Sequence, residues 1–194
     1  MATLTQYLQL NNHEHALLHA KMASFHEVDQ QWHTGEDQMH KLLRVPDQDN
    51  PTSPYLTPYA NTILTHSPLL ALGTLDKDDR PWTTIWGGER GFSRVIGQSI
   101  IGVKTTVDRR YDPVVEALLG KDADGEVINP DGPGNMVGGL GIDLETRARV
   151  KLYGRMVAGA VNATEGDAGE AQLVVKIEQS LGQFYLVFDV LSGS

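Results

Sequence analysis

Leu69-Leu70-Ala71-Leu72-Gly73-Thr74-Leu75, then Asp76-Lys77-Asp78-Asp79, then Arg80-Pro81-Trp82-Thr83-Thr84-Ile85-Trp86-Gly87-Gly88 is an apolar run, a polar turn and a second run. Two short runs around an Asp-rich turn, the second carrying Thr, Ile and Trp, predict a β-hairpin. The strand signal continues downstream. Residues 95–104 predict one or two strands, with Gly97 at a bulge or bend. Residues 137–143 predict a strand carrying Gly138, Gly139 and Gly141. Residues 150–161 alternate, with Val150, Leu152, Gly154 and Met156 on one side and Lys151, Tyr153 and Arg155 on the other. Residues 171–177 and 184–191 complete the set. A short helix over 112–119 interrupts it, with Pro113 at its start and Gly120 past its end. Five to seven strands with few helices between them predict a mainly β fold, an antiparallel barrel rather than a doubly wound sheet. Gly138-Gly139-Leu140-Gly141 precedes no helical pattern, so it does not read as a dinucleotide-binding loop.

Upstream, Leu4, Leu8, Leu10, Leu17, Leu18 and Met22 recur at helical spacing, and neither Gly nor Pro occurs before Gly35. Thr34-Gly35-Glu36 is expected to break that helix, with a second short helix over 37–43 stopped by Pro46. Pro46, Pro51, Pro54 and Pro58 mark a linker, and residues 61–66 predict a short helix before the first strand. The expected plan is an N-terminal helical extension over 1–45, a Pro-rich linker over 46–60, a barrel over 61–182 and a C-terminal strand or tail over 183–194.

The 194 residues carry a formal net charge of -9, which argues against a nucleic-acid partner. There is no cysteine, so disulfides, thiolate metal sites and cysteine nucleophiles are excluded. Met1-Ala2-Thr3-Leu4-Thr5-Gln6 lacks the basic and apolar regions of a secretory signal, and no apolar run reaches the length of a membrane span. The expectation is a cytoplasmic protein with no membrane partner.

Two groups of residues suggest chemistry. The hairpin over Leu69–Gly88 offers a wall for a flat ring. Thr146-Arg147-Ala148-Arg149, just past a strand, offers a hydroxyl and two guanidiniums whose planar forks match phosphate oxygens. The plainer alternative is a solvated turn, with ion pairs to Glu145 or Asp143. One of Trp82 and Trp86 is expected in the core, on the reasoning that alternate strand residues face opposite sides. His15 and His19 are four apart on the predicted helix, with Glu14 or His26 as a third metal ligand; no H-E-x-x-H occurs, and no metal site is assigned. Asp76, Asp78 and Asp79 read as a turn rather than a calcium loop.

Several stretches, in this order, resemble the pyridoxamine 5′-phosphate oxidase-related family of FMN-binding split barrels. They are Trp32-His33-Thr34-Gly35-Glu36, Asp79-Arg80-Pro81-Trp82-Thr83-Thr84 with Gly87 and Gly91-Phe92, Gly139-Leu140-Gly141-Ile142-Asp143 running into Thr146-Arg147-Ala148-Arg149, and Gly154-Arg155. The resemblance covers roughly residues 32 to 182 and is nearer to an oxidase-like subgroup, some members of which are fused to ferredoxin-reductase-type modules. It implies a six-stranded antiparallel Greek-key barrel, a homodimer and FMN in the cleft between subunits. Trp82, Thr83, Thr84 and Ile85 would line the isoalloxazine, and Thr146, Arg147 and Arg149 would hold the phosphate. The implied activity is that of a flavoprotein oxidoreductase, passing hydride or electrons from NAD(P)H or a reductase domain to an acceptor.

Three departures stand out. Asp79 stands where the family has Gly, and Tyr153 where it commonly has Asn. The stretch after Gly182, Gln183-Phe184-Tyr185-Leu186-Val187-Phe188, replaces an Asn-Cys-Pro-Lys-Tyr segment. The Arg-Leu-His-type substrate signature of true pyridoxamine phosphate oxidases is absent, so vitamin B6 oxidation is not assigned. Two further readings stay open. One is a non-catalytic module of the same fold holding flavin, haem or deazaflavin. The other is an interaction domain whose strand over 184–191 seeks a partner edge.

Overall fold

The structure, a computed structural model, describes residues 31–97 and 99–183. The helix expected before residue 31, with His13, His15, His19 and His26, and the strand expected over 184–191 lie outside the described residues. The chain divides into two compact units, Met1–Pro51 and Thr52–Ser194.

In the first unit, helix α1 spans Thr34–Leu43. Thr34-Gly35-Glu36 does not break a helix here; it opens one. The His33 ring accepts from Gly35 N (3.1 Å), and Glu36 Oε2 accepts from His33 N (3.1 Å), a reciprocal cap that satisfies two donors at the helix start. Trp32 packs edge-on against His40 at 4.5 Å between ring centroids, and its indole N–H donates to Gln48 O at 3.0 Å.

The second unit holds helix α2 (Pro58–His66), strands β1 (Leu69–Leu75), β2 (Pro81–Gly87), β3 (Ser93–Gly97) and β4 (Ile100–Asp108), helix α3 (Pro113–Leu119), and strands β5 (Met136–Ile142), β6 (Arg149–Ala163) and β7 (Ala168–Gln183). The seven strands form one antiparallel sheet in the order β2-β1-β5-β6-β7-β4-β3. This corrects the six-stranded split barrel that the resemblance implies, and falls within the five to seven strands that the pattern predicts. Strand β3 pairs with β4 across a bulge between Val95 and Gly97. The sheet is unclosed, with β2 and β3 at its edges. It nevertheless curls until β2 meets β4, where the Thr105 hydroxyl donates to the Gly87 carbonyl.

The inner surface is the core. Leu70, Leu72, Trp86, Ile101, Val103, Val150, Leu152, Met156, Leu173 and Val175 are all buried there. Ala60, Ile63 and Leu64 of α2 and Val114, Val115, Leu118 and Leu119 of α3 are buried with them. Each such large side chain contributes about 1.5–3 kcal/mol. Part of the expected linker joins this unit: Ser53 and Ser180 exchange backbone hydrogen bonds at 2.8 Å, and the Ser180 hydroxyl donates to Tyr55 O at 2.5 Å.

The β1–β2 turn shows why Asp stands at position 79. Asp79 has φ 59°, the left-handed region that Gly favours and Asp tolerates. Asp76 Oδ1 accepts from Asp78 N (2.9 Å) and Arg80 N (3.0 Å), so the turn is closed by a side chain as well as by backbone.

Candidate functional site

Register assigns every side chain of β1, β2, β5 and β6 to a surface. Trp82, Thr84 and Trp86 oppose Thr74, Leu72 and Leu70, whose side chains are buried. All three therefore belong to the inner surface, and residues four apart share it. Trp86 is buried and Trp82 is 41% exposed because Trp82 sits at the turn end of the hairpin, beyond the core. The expectation of one core tryptophan holds, for a different reason than the one that suggested it.

Each indole is held by a carboxylate. Trp82 Nε1 donates to Asp76 Oδ2 at 2.9 Å, beside the Arg80 Nε contact to the same oxygen at 2.8 Å. Trp86 Nε1 donates to Asp112 Oδ2 at 2.9 Å, and the Thr84 hydroxyl reaches that same oxygen at 2.8 Å. The other Asp112 oxygen caps α3, accepting from Val114 N and Val115 N. The Thr84 hydroxyl is thus committed to Asp112. Thr84 and Trp82 offer a ligand outside the sheet only their main chain.

Thr83 and Ile85 face outward, and Ile85 is 69% exposed. They oppose Gly73 and Ala71 of β1, which oppose Gly138 and Leu140 of β5, which oppose Tyr153 and Lys151 of β6. Arg149, opposite Ile142, continues this outer row. The result is a low floor of Ala71, Gly73 and Gly138 between an apolar edge at Ile85 and a basic strand carrying Arg149, Lys151 and Arg155. A Cβ built on Gly138 would meet nothing nearer than Gly73 O at 3.9 Å, so the space above Gly138 is open; one on Gly73 would touch the Thr83 methyl at 3.4 Å, and Leu140 flanks Ala71 in the same row.

The β5–β6 turn lies at the Ile142 end of this floor. Asp143 organises it. Its Oδ1 accepts from Glu145 N (2.9 Å) and Thr146 N (3.3 Å), and its Oδ2 accepts from the Thr146 hydroxyl at 2.8 Å. These bonds, the Thr146 hydroxyl first, hold the Asp143 carboxyl below its ordinary range, with the Arg90 charge assisting. The donors expected to hold a phosphate through Thr146 are therefore engaged by the chain's own carboxylate. Arg147 is exposed and left-handed at φ 61°. Arg149 is half-buried next to Tyr59, whose phenol is pushed up by burial against the opposing pull of the Arg149 N–H and charge. Asp143 was expected only as an ion-pair partner in a solvated turn, not as the acceptor that engages Thr146, and Asp112, Tyr59 and Arg90 were not anticipated, since each acts across a long sequence separation.

The seven expected residues thus divide three ways. Thr83, Ile85 and Arg149 share the outer surface, Trp82 and Thr84 point inward, and Thr146 and Arg147 sit in the turn at one end. Separately, a cleft of about 610 Å³ opens across the outer side of β3, β4 and β7.

No helix among the described residues is long and apolar enough to cross a membrane. No protein-family model matches the chain, and no curated protein matches it. Among solved structures, an F420 reductase overlaps 62% of this chain and 94% of its own at 10% identity and a TM-score of 0.40. A HupZ variant from Group A Streptococcus overlaps 66% of this chain and 99% of its own at 10% identity and a TM-score of 0.38.

Proposed function

We propose that this chain is an FMN-binding module with oxidoreductase character, of the pyridoxamine 5′-phosphate oxidase-like type, and that it works as a homodimer. The supporting observation is the outer surface of β2, β1, β5 and β6: an open, largely side-chain-free floor with an apolar edge on one side and cations at one end. A flat ring fits over Ala71, Gly73 and Gly138, against Thr83, Ile85 and the main chain of Trp82 and Thr84. From the Ala71–Leu140 level to the Ile142–Arg149 level is two residues, about 7 Å. A phosphate tail running that way ends among Arg149, Arg147 and Thr146, where it competes with Asp143 for the turn's donors.

FMN, when bound, supplies the hydride and electron chemistry. The chain's part is to orient and to exclude water. Asp112 and Asp76 hold the strand behind the ring in one conformation through the two tryptophans. Tyr153, opposite Gly138, stands beside the floor, its hydroxyl accepting from Arg155 Nη2 at 3.4 Å. A second copy of the chain covers Ile85 and makes the floor a cleft.

The test is the visible spectrum of the desalted protein, followed by FMN titration. Saturable FMN binding, with the released chromophore at FMN mass, supports the reading. A colourless protein that fails to bind added FMN overturns it. Oxidation of NADH or NADPH by the loaded protein separates an oxidoreductase from a module that only stores or senses flavin.

A further inference from the structure

The cleft on the other half of the barrel has its own chemistry. It is bounded by the Gly88–Phe92 turn, β3, β4 and β7, and its volume of about 610 Å³ lies in the range of small-molecule sites. Its floor is Gly102, over which Ile96, 52% exposed, leans: a Cβ on Gly102 would meet two Ile96 carbons at 3.3 Å. Three cations line it, Arg90, Arg94 and Lys104, against the carboxylates Glu89 and Glu170. The lining is thus left with a formal net charge of +1, in a chain whose formal net charge is -9.

The cations are not equivalent. Lys104 Nζ is 3.0 Å from Glu170 Oε1, and that bond holds the Glu170 carboxyl below its ordinary range. The Arg90 charge reaches Asp143. Arg94 opposes Gly102 across the β3–β4 ladder, so it is a diagonal neighbour of Lys104 on the same surface. Arg94 is exposed, and among the described residues it has neither an ion pair nor a side-chain hydrogen bond. An unpaired guanidinium beside a second guanidinium and an ammonium, over an apolar floor, suits one ligand chemistry. Guanidinium forks match phosphate oxygens, and the exposed Ile96 side chain gives a flat organic group something to lie on.

We propose that this cleft binds a phosphate monoester, with the phosphate held by Arg94 and Arg90 and the organic group resting on Ile96 over Gly102. The site lies on a different stretch of the outer surface from the flavin floor, and the Arg90 charge links it to Asp143 at the end of that floor.

The test uses the full chain, uniformly 15N-labelled, with inorganic phosphate, AMP and adenosine as probes and the arginine Nε–H resonances as readout. The expected result is saturable movement of the Arg94 resonance by phosphate and by AMP. AMP should bind more tightly than phosphate, and adenosine should leave the resonance unmoved. Arg94→Gln, at an exposed position that does not disturb the fold, should weaken AMP at least about tenfold, as loss of a charge-assisted bond does. Gly102→Val, which displaces the Ile96 side chain on which the organic group rests, should weaken AMP more than phosphate. Shifts that never saturate, or that move Arg147 and Arg149 instead of Arg94, overturn the proposal. FMN titration of Arg94→Gln, read at the Arg147 and Arg149 resonances, keeps the two readings apart: their movement should match that in the unsubstituted chain, and a chain in which AMP moves Arg94 but FMN moves neither Arg147 nor Arg149 retains this site and loses the flavin.

Discussion

Arg147 combines two properties that a substitution can separate. Its left-handed backbone costs roughly 1 kcal/mol for any residue but Gly. Its charge is the proposed phosphate contact. Arg147→Gly should therefore leave stability unchanged or raise it by about 0.5–1 kcal/mol in urea unfolding, because the backbone strain is relieved. FMN affinity should fall about ten- to a hundredfold in both Arg147→Gly and Arg147→Ala, as measured by flavin fluorescence; unchanged affinity in both removes Arg147 from the phosphate site. Asp76 makes a prediction in acid. Its carboxyl is held well below the ordinary carboxylate range, first by the Trp82 indole N–H and then by the Arg80 and Asp78 backbone. A depressed folded value means that its stabilisation is present above about pH 4, the unfolded value, and is lost only as pH falls through the lower folded one. Trp82 emission should hold steady through about pH 4 and change only as pH approaches the lower folded value, and that component should be missing from Asp76→Ala at every pH. At this scale Asp79 was legible, because a turn position that prefers Gly announces its φ. The Asp143 bonds were not, since a carboxylate three residues from a threonine reads equally as an ion-pair partner for arginine.

Helix α3 is the element whose sequence signals were most complete: Asp112 caps it, Pro113 opens it and Gly120 follows it. What the local signal omits is that the capping residue also receives β2. Asp112→Ala removes the acceptor for two backbone N–H groups, one hydroxyl and one indole N–H together. It should cost about 2–4 kcal/mol in urea unfolding, the sum of a lost cap and of donors left unsatisfied. Asp112→Asn, which keeps one carbonyl oxygen, should restore part of the loss, and equal losses in the two variants contradict the dual role. Strand β7 was half legible. Alternation is clear over 171–177, but Tyr153 pairs with Gln179 and Gly154 with Ile177, so Glu178 is bulged out. A bulge resets the two-residue period, and a pattern-based reading stops where the period does. Helix α1 shows the opposite failure: Gly35 reads as a breaker until His33 and Glu36 are seen to cap the turn around it.

For the whole molecule, the mainly antiparallel β architecture and a count of five to seven strands followed from the pattern and the lack of intervening helices, whereas the strand order depends on pairings such as Thr105 with Ala171 that no local pattern encodes. The proposed dimer rests on the same outer surface as the flavin. Ile85→Asp, at a position exposed in the single chain, should leave thermal stability of the monomer within about 0.5 kcal/mol. It should shift the protein from dimer to monomer in light scattering and weaken FMN at the same time. Dimers that persist with undiminished flavin affinity remove this surface from the interface. The seam at Gly87 and Thr105 carries a different consequence. Neighbouring strands elsewhere are laced by repeated backbone bonds, but β2 and β4 share no ladder, and a side-chain hydroxyl bridges them. The curled sheet is therefore a cylinder with a slit, and opening the slit leaves every rung of the ladder intact. In deuterated water, amides facing the slit from β2 should exchange through this local breathing, at rates set by the Thr105 contact and by the bonds of Thr84 and Trp86 to Asp112, while those of β6 wait for the whole sheet to come apart.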